Sequence, residues 1–310
     1  MRRFGDLLFV AFGASVLTFL ILRLIPGDAV QLMLGANAEA TQEQIAAMRH
    51  AIGLDQPFAV QYLTWLGHAL LGDFGTSLTT GRPVLGQIGV AAAVTAEVTG
   101  LALGLAVVLA VPLGCAMAAV RSPAGSLAVR LLSITGITVP SFWLAIMLLY
   151  AVSVLMPGLA VVGWVGLDAH PLENLHRLVL PVTAVALPAV ASLARILRTS
   201  LAEALAQDYI RTARAKGLSE TVVLVRHALA NALLPFVTQL GVLAGYLFSG
   251  SVVVEQVFAL PGLGRLIVGS VAERDYPMVQ ATILLATLVF VAVNSLVDLL
   301  YTAIDPRVRA

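Results

Sequence analysis

Charged side chains are scarce in this sequence. Only 11% of the 310 residues are Asp, Glu, Lys or Arg, whereas 59% are hydrophobic and the mean hydropathy is +0.96. A soluble globular domain carries about 25% charged residues, so this chain lacks the polar side chains that would cover such a fold in water. The composition excludes an ordinary soluble domain and predicts an integral membrane protein.

Lysine and cysteine are nearly absent, and each absence argues against a kind of site. The single lysine, Lys216, is followed by Gly217 and Leu218, and no Gly-Lys-Ser/Thr sequence exists that could form a phosphate-binding P-loop. The single cysteine, Cys115, has no partner for an intramolecular disulfide and lies in an apolar run, which favours a small buried side chain. No His or Cys pair has metal-ligand spacing and no Gly-x-Ser-x-Gly occurs, so we expect no metal and no catalytic site. Intramembrane hydrolysis is the weakest alternative.

What the chain has in abundance is long apolar runs. A helix needs about 20 residues to cross the hydrocarbon core, and six runs approach or exceed this length, so we predict an all-α integral membrane protein with six transmembrane helices. The runs are Leu7–Ile25, Val94–Val120, Leu131–Pro157, Leu178–Ala194, Ala232–Val254 and Met278–Ile304. Prolines in or beside these runs, such as Pro112, Pro140 and Pro188, mark kinks.

The first run could also be a signal peptide, with Ala36-Asn-Ala38 as its cleavage site. Arg23 and the polar Pro26-Gly-Asp28 lie between the apolar stretch and that site, and this polar segment is too long for a signal peptide. We therefore favour a retained first span over residues 1–25.

Basic residues indicate the orientation of the spans. With the N-terminus inside, twelve basic residues fall on the cytoplasmic side and five on the other, so we expect both termini to be cytoplasmic. The cytoplasmic set is Arg2, Arg3, Arg121, Arg130, Arg195, Arg198, Arg211, Arg214, Lys216, Arg226, Arg307 and Arg309, and the outer set is Arg49, Arg82, Arg177, Arg265 and Arg274. Residues 26–93 then form an extracytoplasmic insertion, and residues 94–310 a five-helix core with a cytoplasmic loop at 195–231.

Two short helices are predicted inside the insertion. Thr41-Gln-Glu-Gln44 is a capping box that begins one helix, which stops at Gly53, and a second helix follows Asp55-Gln-Pro57 and ends near Gly72. The aromatic residues of the second helix suit a membrane–water interface. The insertion is either a helical cap on the bundle or part of a docking surface for an extracytoplasmic partner.

A few polar residues lie at membrane depth, where they usually face a bundle interior or a water path. For Glu97 and Glu255, near the outer ends of two spans, we favour a position at the interface, and for Glu97 a contact with another helix or with a pathway is the alternative. For Asn294 and Asp298, one turn apart on one face of the last span, we favour an inward-facing contact with another helix or with a pathway. No ladder of carboxylates suitable for proton coupling exists, which weighs against an ion-driven secondary transporter.

The basic loop 195–231 carries the strongest signal. Asp208 is a favourable N-cap and Gly217 a favourable C′ residue, so a helix of about two turns is predicted between them. Such a short helix is marginal alone in water. We also predict a helix over Thr199–Gln207 before it and, capped by Ser219, a helix over Glu220–Leu233 after it. A basic loop can merely follow the positive-inside rule or bind lipid headgroups, but two helix caps around a mixed apolar and basic segment favour insertion into a groove of another protein.

The sequence of this loop resembles that of a known family. Arg211-Thr-Ala-Arg-Ala-Lys-Gly217, followed by Arg226-His-Ala-Leu-Ala-Asn-Ala-Leu-Leu-Pro235, is similar to the coupling loop of ABC importer permeases, and most similar to the first permease of the dipeptide, oligopeptide and nickel importers. The Glu of the family's general Glu-Ala-Ala motif is replaced by Arg211, as is common in the peptide subgroup. Further matching segments are Arg23-Leu-Ile-Pro-Gly-Asp28, Gly53-Leu-Asp-Gln-Pro57, Gly72-Asp-Phe-Gly-Thr-Ser77, Val139-Pro-Ser-Phe142, Pro261-Gly-Leu-Gly264, Arg274-Asp-Tyr-Pro277 and Asp305-Pro-Arg307.

The resemblance implies a multi-pass protein of the bacterial inner membrane that is not itself an enzyme. It implies a second permease, two ATP-binding-cassette subunits that hold ATP and Mg, an extracytoplasmic substrate-binding protein, and no nucleic acid or cofactor on this chain. Pro261, Gly262, Leu263 and Gly264 would face the binding protein. The coupling helix would comprise Asp208, Tyr209, Ile210, Arg211, Thr212, Ala213, Arg214, Ala215, Lys216, Gly217 and Leu218. The expected cargo is di- or oligopeptides, with nickel or glutathione as alternatives within the family.

Overall fold

The computed structural model describes residues 2–24, 41–51, 55–120 and 122–304. These residues are almost entirely helical, and within them one isolated β-bridge joins Thr76 to Pro83. The sequence motifs at 26–28, 36–38 and 305–307 and the predicted helix stop at Gly53 lie outside the described residues.

The helices differ in length from three to 36 residues. In chain order they are α1 Arg2–Leu24, α2 Gln42–Ala51, α3 Phe58–Leu70, α4 Val84–Ala119, α5 Pro123–Thr138, α6 Ser141–Leu155, α7 Pro171–Leu205, α8 Asp208–Ala215, α9 Glu220–Val222, a π-helical segment Val223–Ala228, α10 Leu229–Gly250, α11 Val252–Val257, α12 Leu263–Ala272 and α13 Tyr276–Ile304. Both predicted helices of the insertion are present as α2 and α3.

The long apolar helices confirm an integral membrane protein. Among the described residues, four stretches are long and apolar enough to cross a bilayer: Val84–Ala119, Pro171–Leu205, Glu220–Phe248 and Tyr276–Ser295. The pair α5 and α6 makes a fifth if it counts as one broken span. In α1 the described apolar stretch is Phe9–Leu20, which is shorter, so six spans stay a prediction.

The third predicted span, Leu131–Pro157, is not a single helix. α5 and α6 meet at Val139 and Pro140 with a bend of 94°, and both of these residues have extended backbone conformations. Proline lacks a backbone N–H and disfavours the helical conformation in the residue before it. Pro140 therefore separates two helices, whereas we predicted a kink.

The described helices form two compact units, made of residues 1–94 with 261–291 and of residues 95–260 with 292–310. In the second unit, α7 lies at the centre and packs against α5, α6 and α10. Leu193, Leu197 and Leu201 fill its core. Gly136 allows α5 to approach α7 closely, because a Cβ at that position would lie 2.6 Å from the Cβ of Ala191.

In the first unit, α3 packs against α1 through aromatic side chains. Phe19 of α1 meets Tyr62 and Trp65 with ring centroids 5.5 and 6.3 Å away. The loop before α4 is held near the start of α13 by Asp275, which is 1% exposed and accepts hydrogen bonds from the hydroxyls of Ser77 and Thr79.

Candidate functional site

The predicted coupling segment is a helix of eight residues, α8, between two longer helices. Gln207 is its N-cap and Asp208 its first helical residue, so our assignment of Asp208 as the cap was wrong by one position. In the first turn the Asp208 carboxylate faces the positive end of the helix dipole, and it also pairs with Arg211. Gly217 has φ +80°, the left-handed conformation expected at C′.

Two apolar side chains attach α8 to the rest of the unit. Ile210 is 0% exposed and Ala213 is 5% exposed, whereas every other residue from Asp208 to Leu218 is exposed. α8 contacts the π-helical segment, in which Val223 and Ala228 are fully buried. A short helix that would be marginal alone is thereby held in place by burial.

Polar contacts attach α8 to the start of the next span as well. The Asn231 side chain of α10 donates a hydrogen bond to the Tyr209 hydroxyl at 3.0 Å. Arg214 donates to both carboxylate oxygens of Glu220, at 2.8 and 3.0 Å, across the turn at Gly217. The hydrogen bonds that Arg214 donates to the Glu220 carboxylate raise the pKa of Arg214. Contacts near both ends of α8 therefore join it to α10 and to the segment that leads into α10.

The same geometry leaves a mixed outer face. Arg211, Arg214 and Lys216 are exposed together with Tyr209 and Leu218, which are 41% and 38% exposed. A short helix that presents basic and apolar side chains suits a groove on a partner.

The segment after α8 was predicted as one helix from Glu220 to Leu233, capped by Ser219. Ser219 does occupy the N-cap position, but its side chain makes no capping hydrogen bond, and after one turn the chain becomes π-helical over Val223–Ala228. π-Helical turns often occur at functional sites. An open cleft of about 290 Å³ is bordered by residues of α7, α8 and α10 and is lined by Ser200, Glu203, Ala204, Gln207, Tyr209, Asn231 and Pro235.

On the N-terminal side, α8 follows α7 almost directly. We predicted a span at Leu178–Ala194 and a separate helix at Thr199–Gln207, but α7 is continuous over Pro171–Leu205. A helix of 35 residues is about 52 Å long, which exceeds the thickness of the hydrocarbon core of about 30 Å. One continuous helix thus leads from the membrane-spanning region to Leu205, two residues before Gln207.

Glu255 lies in the interior of the second unit, and its position relative to the membrane interface stays a prediction. It is 0% exposed, and its Oε1 accepts hydrogen bonds from the hydroxyls of Thr95 at 2.8 Å and Ser251 at 2.9 Å. A buried carboxylate needs such donors to offset its lost hydration. Glu97 is half-buried, and its Oε2 accepts a hydrogen bond from the Trp164 indole at 3.1 Å.

The other predicted polar residues have different settings. Asn294 is half-buried in α13; Asp298 lies in the same helix, but its side chain is outside the described part. In the loop expected to face a binding protein, Pro261 is exposed, whereas Gly262, Leu263 and Gly264 are buried at the start of α12. The loop therefore presents far less surface than its sequence suggested.

One structural residue was missed. Asp275 belongs to the segment Arg274–Pro277, which we quoted for its resemblance without giving it a role. Its carboxylate accepts from the backbone N–H of Met278 at 3.3 Å at the start of α13, in addition to the hydroxyls of Ser77 and Thr79. An Asp that precedes an apolar run by one residue is a recognisable N-cap signal.

Comparison with known proteins agrees with this organisation along the whole chain. Residues 110–310 match the family model "Binding-protein-dependent transport system inner membrane component", and residues 1–100 match the model of its N-terminal region. A glutathione transport system permease protein of Salmonella choleraesuis is 40% identical over 95% of this chain and 93% of its own length. A Brucella abortus protein named for a peptide transport system permease is 40% identical over 100% of this chain and 98% of its own length.

Proposed function

The chain belongs to the family of binding-protein-dependent transport system inner membrane components, and from this premise we propose that it is the permease subunit through which an ATP-driven importer passes di- and oligopeptides. The observation that carries the proposal is the attachment of α8: a short exposed helix with two buried residues, Ile210 and Ala213, joined to long helices on both sides. A partner that binds the outer face of α8 would act on α7 and α10 together.

In the proposed topology, six spans cross the inner membrane and both termini are cytoplasmic. α5 and α6 form one span broken at Pro140, and α1 is the first span. The insertion between α1 and α4 then lies outside and loop 195–231 inside. The excess of basic residues on the inner side supports this orientation.

The proposed partners are a second permease, two ATP-binding-cassette subunits and an extracytoplasmic binding protein. ATP and Mg are held by the cassette subunits, because this sequence has no P-loop. Asp208–Leu218 is the proposed coupling helix. Closure of the cassette subunits on ATP would shift α8 and change the relative populations of inward- and outward-open states of the permease pair.

The peptide cargo is supported by the relatives. One is named for glutathione, itself a small peptide, and another for peptides in general, and both match nearly the full length of this chain. Glutathione or nickel import is the alternative within the family. An ion-driven secondary transporter is the alternative of another class. Affinity of the system's own binding protein for peptides, glutathione and Ni²⁺ would decide between the cargoes.

The ion pair Arg214–Glu220 offers a test of the coupling role. In the full complex reconstituted in liposomes, Arg214→Glu and Glu220→Arg each place like charges together, which should loosen α8 and lower the peptide moved per ATP hydrolysed. The double exchange restores the pair inside the chain but leaves the outer face with altered charge. It should recover coupling if the pair only positions α8, and stay uncoupled if Arg214 also contacts the cassette subunit.

Arg195→Glu is the matched control, because Arg195 is an exposed arginine at the inner end of the membrane-spanning part of α7 and lies outside α8. It makes the same reversal of charge as Arg214→Glu without touching the proposed coupling helix, and we expect unchanged coupling. If both single variants moved as much peptide per ATP as the unmodified complex, α8 would not be the coupling helix.

A further inference from the structure

α3 has an unusual composition for a helix in an extracytoplasmic insertion. From Phe58 to Gly72 the sequence contains no Asp, Glu, Lys or Arg, and within α3 no residue is buried. Large apolar side chains are strongly exposed, including Phe58 at 65%, Leu63 at 64% and Leu70 at 80%. In water such a surface would be costly, since each apolar side chain loses about 1.5–3 kcal/mol of burial free energy.

The side chains of α3 divide into three stripes. Tyr62 and Trp65 face α1, where they pack on Phe19. At about 100° per residue, Val60, Leu63, Leu70 and Leu71 fall on the opposite side. A narrow polar stripe lies between them and consists of Gln61, Thr64 and His68, which are spaced by three and four residues.

In the proposed topology, with Leu24 at the outer end of the first span, the contacts between α3 and α1 give the depth of α3. The Tyr62 hydroxyl lies 2.8 Å from the Ser15 hydroxyl, and Ser15 precedes Leu24, the last residue of α1, by nine positions. At 1.5 Å per residue this contact is about 14 Å below the end of α1, and Phe19 is about 7.5 Å below it. Helices that lie in a membrane interface bury their apolar face about 5–10 Å into the boundary of headgroups and acyl chains.

We propose that α3 lies in the outer leaflet of the bilayer as an interfacial helix, with Val60, Leu63, Leu70 and Leu71 against lipid acyl chains and Gln61, Thr64 and His68 toward the headgroups and water. The aromatic stripe holds it against α1. The inference rests on the proposed topology, in which α1 is the first span. A lipid occupant is favoured over a protein partner because α3 has no Asp, Glu, Lys or Arg and contacts the outer half of an apolar helix, whose own Leu17 is 60% exposed.

Spin labels provide the test, and the single cysteine makes the background simple. In the full complex carrying Cys115→Ser, a nitroxide is attached in turn at Leu63→Cys, Leu70→Cys and Thr64→Cys, and its collisions with oxygen and with a water-soluble nickel chelate are measured in phosphatidylethanolamine–phosphatidylglycerol liposomes. Oxygen concentrates in acyl chains and the chelate in water. We expect a several-fold higher oxygen-to-chelate collision ratio at positions 63 and 70 than at position 64.

Two results would overturn the inference. Equal access of the chelate to positions 63, 64 and 70 would mean that α3 lies in water, and protection of positions 63 and 70 from both reagents would mean that a protein covers them. Leu17→Cys on α1 is the control for the topology. A water-exposed label at position 17 would contradict the first span itself, whereas a lipid-exposed label there with a water-exposed position 63 contradicts only the placement of α3.

Discussion

Truncation of Ile210 to alanine tests how α8 is held. Ile210 is fully buried, and with Ala213 it provides the only buried side chains of α8. Ile→Ala in a packed core costs about 2–5 kcal/mol. Because an isolated helix of this length is marginal, we expect most of this cost to fall on the docking of α8. A loss of 2 kcal/mol raises the undocked population about 30-fold.

Two measurements follow the variant, both in the reconstituted complex. Hydrogen exchange of the amides in α8 should accelerate by at least the same factor, about 30-fold, and the peptide moved per ATP hydrolysed should fall. Val222→Ala is the matched control, because Val222 is an apolar residue near α8 in the sequence but is 38% exposed. In this variant, neither the amide exchange in α8 nor the peptide moved per ATP should change much. Faster exchange in Ile210→Ala with normal coupling would refute the reasoning that a docked α8 transmits the ATPase cycle.

Three further predictions concern the turns and loops. Gly217→Ala places a Cβ in a left-handed conformation at a cost of about 1–2 kcal/mol, so the exchange of amides in α8 should accelerate, and unchanged exchange would contradict that conformation. Asp275→Asn replaces a charged acceptor by a neutral one, which should lower the free energy of unfolding in detergent by about 1 kcal/mol, and an unchanged melting curve would contradict the buried contact. The hydrogen bond that the His50 ring donates to the Asp55 carboxylate raises the pKa of His50 and lowers the pKa of Asp55. The ion pair therefore stabilises the insertion at pH values between the pKa of Asp55 and the pKa of His50. It is lost above the pKa of His50, where the imidazole is neutral, and below the pKa of Asp55, where the carboxyl is neutral. An NMR titration should show the His50 pKa return toward its ordinary value in Asp55→Asn.

Much of the helical framework could be predicted from apolar run length, because the membrane requires long helices with satisfied backbone groups. The ends of the helices were less predictable. α4 begins at Val84, ten residues before the predicted span, and α7 continues to Leu205 through a region we divided. Hydropathy marks the part of a helix that lies in lipid, and a helix continues beyond it where local propensity and packing allow.

The break at Pro140 and the π-helical segment at Val223–Ala228 show a second limit. A proline in a span is compatible both with a kink and with two separate helices, and the choice depends on the neighbours that satisfy the freed backbone groups. A π-helical turn has no composition of its own. Neither feature could be read from the local sequence.

The short helix α8 was predictable because helix caps and basic residues are local signals. Its length and its C′ glycine agree with the structure, whereas the contacts that hold it, from Tyr209 to Asn231 and around Ile210, depend on the packing of distant residues. The burial of Glu255 was missed for the same reason, since its donor Thr95 is 160 positions away.

Solute uptake by purified protein in sealed liposomes measures whether this chain depends on partner subunits and ATP. We expect that this chain alone moves no peptide, with or without an imposed ion gradient, and that uptake appears only when the second permease, the ATPase subunits, the binding protein and ATP are all supplied. Peptide accumulation by the chain alone, driven by an ion gradient in the absence of nucleotide, would contradict this expectation.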